Sequence, residues 1–172
     1  MKISARFIIL CSILIAFSNP LYARGNAAYE ETYNVGLVAA SLDGGSEFGT
    51  VDATGFTLSA RNQKAVLEYI NLSADPGVIA TGIYTGDAWE SSITGFYLSL
   101  LGEGQPYMKI KVGKIKQEMV RTPATGIATT ETNSVTSYGI GLGYKVGARL
   151  VLEFDVTTLD NDMTLMAFSV LF

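Results

Sequence analysis

The chain has 172 residues, 48% of them hydrophobic, with 12 Lys and Arg against 16 Asp and Glu for a formal net charge of −4. An acidic chain without a basic block lacks the electrostatic footprint of a nucleic-acid binder. It contains no histidine and one cysteine, Cys11, so a histidine proton relay, haem ligation by histidine and a disulfide framework are excluded.

The chain opens MKISARFIILCSILIAFSNPLYARG, with Lys2 and Arg6, an apolar run from Phe7 to Phe17, a break at Ser18-Asn19-Pro20 and a small residue at Ala23. This is the pattern of a secretory signal peptide, residues 1–23. The apolar run is too short for a membrane-spanning helix, which needs about 20 residues. Leu10 stands before Cys11 where a lipoprotein signal has a small residue. Removing residues 1–23 takes away Lys2 and Arg6 and no acid, leaving 10 basic against 16 acidic residues and a net charge of −6. The remaining 24–172 has the size of one domain and no cysteine, so no thiolate metal site is available to it.

From Tyr33 onward apolar residues recur with period two, not 3.6, and turn chemistry separates the segments. The predicted strands are 32–42 (TYNVGLVAASL), 52–61 (DATGFTLSAR), 64–73 (KAVLEYINLS), 93–101 (ITGFYLSLL), 107–116 (YMKIKVGKIK), 136–146 (TSYGIGLGYKV), 148–157 (ARLVLEFDVT) and 163–172 (MTLMAFSVLF). Connections after the second, fourth and sixth strands are short. Those after the first, third and fifth are long and polar, at 43–51, 74–92 and 117–135, while 158–162 is brief. Short turns on one side and long loops on the other are the alternation of a transmembrane β-barrel.

The sixth and seventh strands pose the question of which face looks inward. Tyr138, Ile140, Leu142, Tyr144 and Val146 lie on one face, opposite Gly139, Gly141, Gly143 and Lys145; Leu150, Leu152, Phe154 and Val156 oppose Arg149, Val151, Glu153 and Asp155. In a soluble ligand-binding barrel the greasy face would point in and the glycines would form a bare exterior stripe. In a membrane barrel the greasy face meets lipid, and the glycines make room inside for long polar chains. The second arrangement predicts an interior polar network of Glu68, Lys109, Lys111, Lys145, Arg149, Glu153 and Asp155, in which members must pair because an unpaired buried charge is costly.

The terminal MTLMAFSVLF places Phe168, Val170 and Phe172 on one face and ends on an aromatic residue. It resembles the terminal assembly signal of bacterial outer-membrane β-barrels, with Val170 where an aromatic often stands. YMKIKVGKIKQE, SYGIGLGYKVG and ARLVLEFD also resemble the middle and late strands of small outer-membrane barrels of the opacity-like and OmpA/OmpX-like kind. That resemblance implies an all-β, eight-stranded antiparallel up-and-down transmembrane barrel in the bacterial outer membrane. Its implied partners are membrane lipid, lipopolysaccharide and the barrel-assembly machinery, and its implied role is envelope integrity or surface contact through loops.

No catalytic residue, cofactor or metal site is expected. Glu153 and Asp155 share a strand face and could form an acid–base pair, but neutralising the interior cations accounts for them. Asp160-Asn161-Asp162 lacks the spacing of a calcium loop. Lys114, Lys116 and Arg121 cluster where the fifth strand leaves the membrane, a position suited to lipopolysaccharide phosphates. Trp89 and Tyr84, in the second long loop, are candidates for an interfacial or partner contact. The alternative function is a narrow channel or a carrier for small hydrophobic molecules, which requires an interior that charges do not block.

Overall fold

The computed structural model describes residues 32–62, 64–123, 126–147, 149–160 and 163–172; the expected signal peptide and the Asn161-Asp162 turn lie outside them. β-branched and aromatic residues alternating with small or polar ones give strands β1 (Thr32–Asp43), β2 (Thr50–Arg61), β3 (Ala65–Ala74), β4 (Gly77–Val78), β5 (Ala88–Leu101), β6 (Tyr107–Thr122), β7 (Thr129–Val146), β8 (Leu150–Asp160) and β9 (Met163–Leu171). Among the described residues one short helix, α1 (Gly45–Phe48), sits between β1 and β2. Successive strands pair antiparallel, β1 pairs with β9, and β3 pairs directly with β5. The ring therefore closes on eight strands, with the two-residue β4 an appendage on β5. Closure leaves no unpaired edge, the condition for placing strands in hydrocarbon.

Three strands run further than the sequence pattern. β5 starts at Ala88, not 93; β6 continues to Thr122, past 116; β7 begins at Thr129, not 136. The expected long loop 117–135 is thus mostly a tall hairpin whose ladder extends to Arg121 opposite Thr129. Thr129 to Ser134 are exposed on both faces, so no difference between the faces imposes a hydrophobic alternation on them. The opposite ends are tight, as at Gly147, whose φ of +74° suits a residue without a Cβ.

The greasy faces look outward. Ile140 is 60% exposed and Ile110 61%, in a band that includes Phe96, Leu98, Val112, Tyr138, Leu142 and Phe154. This overturns the soluble arrangement. Gly139, Gly141 and Gly143 face in, where a Cβ would collide with the Val156 carbonyl, the Asp155 carboxylate and the Tyr107 ring respectively. The missing side chains are the space those groups occupy.

The interior departs from the expectation of a polar plug throughout. Its outer half, on the long-loop side, is an apolar core that includes Val38, Leu42, Ile70, Leu72, Ile93, Ile115, Leu159 and Leu165. Trp89 and Ile79 belong to it, with Phe48 packed against them. Among the described residues the buried charges occupy only the inner half, above a small floor of Tyr107, Val151 and Leu171.

Candidate functional site

The inner half of the barrel is crossed by a layer of paired charges. Inward positions alternate along each strand, so Glu68 on β3, Lys109 and Lys111 on β6, and Glu153 and Asp155 on β8 all project to the axis. The carboxylate oxygens of Glu68, Glu153 and Asp155 converge within 4.8 Å, close enough to share a cation. The ammonium of Lys109 fills that role. Its Nζ lies 3.0 Å from Glu68 Oε1, 2.5 Å from Glu153 Oε2 and 3.1 Å from Asp155 Oδ2, with the side chain 1% exposed.

Lys111 donates to Asp155 Oδ2 at 3.0 Å and lies 4.6 Å from the centre of the Tyr97 ring. Arg61, at the end of β2, pairs with Glu153 and donates to the Tyr107 hydroxyl at 2.7 Å. That hydroxyl in turn donates to Glu153 Oε1 at 2.5 Å, and Ser99 donates to Glu68 Oε2 at 3.1 Å. Three carboxylates thus face three cations, and hydrogen bonds occupy further lone pairs, while Asp155 Oδ1 and Arg61 Nε and Nη1 have no hydrogen-bond partner among the described residues.

Five of the seven residues expected in this network are in it: Glu68, Lys109, Lys111, Glu153 and Asp155. Lys145 and Arg149 are not. Both are exposed at the inner mouth on either side of the Gly147 turn, because their strands end there and the side chains reach solvent. The third cation is Arg61, which sequence reasoning missed. The signal was available in DATGFTLSAR, where the outward Phe56 and Leu58 put Arg61 on the opposite, inward face with Thr57 and Ser59. Tyr107 was also missed, since an aromatic residue at a strand start reads as an interface anchor.

The other expected contacts fall as follows. Lys114 and Lys116 lie exposed on the outward face of β6, directly beyond the apolar Ile110 and Val112, and Lys116 approaches Glu118 at 3.6 Å. Arg121 does not join them: it faces the second loop, stacked 3.6 Å from the Tyr84 ring centre and 3.8 Å from Asp87. Trp89 is wholly buried rather than interfacial, edge-on to Phe48 with its Nε1 donating to the Phe48 carbonyl at 3.1 Å. Phe172 exchanges backbone hydrogen bonds of 3.1 and 3.0 Å with Val35, which ties the last strand to the first. Val170, expected on the same face as Phe172, is only 5% exposed.

No protein-family model matches the chain, and no curated protein matches it. Solved structures do. The chain is similar to Ail, the attachment invasion locus protein of Yersinia pestis, in a crystal structure with the heparin analogue sucrose octasulfate: TM-score 0.57, 8% identity, 84% of this chain and 97% of that one. It is similar to the N-terminal β-barrel domain of Pseudomonas aeruginosa OprF, with TM-score 0.59, 10% identity and coverage of 83% and 98%. Neisserial surface protein A aligns with TM-score 0.53, 11% identity and coverage of 81% and 95%. The fold is that of the small outer-membrane barrels. This fold and the outward apolar band are those of a barrel that crosses a membrane with strands. At such identities the likeness concerns architecture, so the function rests on this chain's own interior and loops.

Proposed function

We propose that the protein is a non-catalytic outer-membrane barrel that supports the envelope and makes contacts at the cell surface through its long hairpins. The observation that carries this reading is the double closure of the interior: a layer of interlocked charges across the inner half and a packed apolar core across the outer half. A barrel closed in both halves offers no path to a solute, which leaves the exterior as the functional surface. The tall β6–β7 hairpin, whose β7 arm is exposed on both faces from Thr129 to Ser134, presents such a surface. Ail is by name an attachment protein and the neisserial protein a surface protein, in keeping with this reading.

Lys114 and Lys116, at the outer edge of the lipid band, are proposed to meet lipopolysaccharide phosphates, and the last strand, with Phe168, Val170 and Phe172, to be read by the assembly machinery. Planar-bilayer recording on the purified full-length protein tests the closed interior. Membranes that contain the protein are expected to show no stepwise conductance. Steady unitary currents would favour the channel reading instead.

A further inference from the structure

At its outer end the barrel opens into a vestibule of about 530 Å³, within the roughly 300–1,000 Å³ of small-molecule sites. Phe48, Met119 and Met163, packed against the core, give its lining an apolar part, beside the polar Ser46, Gln117 and Asn133. Its charged wall is of one sign. Glu47 of α1 and Glu131 of β7 line it, with Gln117 between strand and floor, and no lysine or arginine lines it. Neither glutamate forms an ion pair among the described residues. Two unneutralised carboxylates give the cavity a negative field.

The wall is also fixed in place before any ligand arrives. The Ala80 amide donates to the Glu47 carbonyl at 2.8 Å, Thr81 Oγ1 to the Ser46 carbonyl at 3.0 Å and Trp89 Nε1 to the Phe48 carbonyl at 3.1 Å. Asp43 Oδ1 accepts from the Gly45 amide at 2.9 Å. A wall held by four such bonds spares a ligand the cost of ordering it.

We propose that this vestibule binds small organic cations: a protonated amine directed at Glu47 and Glu131, carried on an apolar or aromatic stem that rests on Phe48, Met119 and Met163. A bare metal ion fits poorly, because the cavity is far larger than an ion. Aromatic and thioether groups do favour an aryl or alkyl stem beside a cation. The proposal uses the outer-membrane reading only to say from which side the ligand enters.

Trp89, the single tryptophan of the chain, lies edge-on to Phe48 with ring centres 5.4 Å apart and so reports on the vestibule floor. The experiment is a fluorescence titration of the full-length protein in neutral detergent with phenethylammonium, 2-phenylethanol and phenylacetate, three probes alike in shape and different in charge. A saturable change with phenethylammonium is expected, at least about tenfold tighter than with the alcohol, and none with phenylacetate. Glu131→Gln, at an exposed position, is expected to fold normally and weaken the ammonium several-fold, and adding Glu47→Gln to abolish the preference over the alcohol. Equal responses to the three probes, or an ammonium preference that survives both substitutions in protein of unchanged heat-modifiable migration, would overturn the proposal. Because binding is read in detergent, its failure is separate from any result in the conductance assay.

Discussion

The two halves of the barrel interior solve the same problem with opposite chemistry. In the outer half, Leu42, Leu72, Ile93, Ile115 and Leu165 fill the lumen by volume, each about 1% exposed or less. In the inner half, Lys109 and its three carboxylates fill it by pairing. The difference lies in what a substitution leaves behind. Loss of an apolar side chain leaves a void that neighbours partly close, whereas loss of one ion leaves its partners charged, buried and uncompensated. The exterior band obeys neither rule, since its neighbours are lipid tails as apolar as itself.

The comparison is broken most directly at Lys109. Lys109→Ala leaves Glu68 without an ionic partner and Glu153 and Asp155 with one each, and is expected to cost about 3–5 kcal/mol, read as a lower urea midpoint for loss of the folded gel band. Combining Lys109→Met with Glu153→Gln removes one charge of each sign. The pair is expected to cost less than the sum of the two single substitutions, which is the signature of closure by pairing. Leu42→Ala, in the outer half, should cost about 2–4 kcal/mol, with no such coupling to the charged layer. The smallest effect, about 1–3 kcal/mol, is expected for Gly141→Val, whose methyl groups must displace the Asp155 carboxylate. If Gly141→Val were neutral in the same urea series, the role given to the inward glycines would be wrong.

Legibility in the sequence followed the same division. Strands whose two faces differ in polarity, such as SYGIGLGYKV and ARLVLEFD, announce both their period and their direction, and the fold, the lipid face and most of the charged layer came from them. The outer core was hidden because its strands are apolar on both faces. In ITGFYLSLL, Ile93 and Tyr97 point in while Phe96, Leu98 and Leu100 point out, and only the ladder register separates them. Lys145 and Arg149 carry the inward parity of their strands but stand at the mouth, because alternation fixes a face and not a depth. The vestibule was out of reach, since it joins α1, β6, β7 and the start of β9 across residues far apart in the chain.

The central claim is a closed barrel embedded in the outer membrane, with its charged layer inside and its apolar band in lipid. The most direct test is fractionation of a Gram-negative host expressing the full-length chain, followed by gel mobility of the outer-membrane fraction with and without boiling. The account predicts recovery in that fraction as a band whose migration shifts on heating. Recovery as a soluble periplasmic protein of unchanged mobility would contradict it, because the exposed Tyr138–Val146 face would then be standing in water.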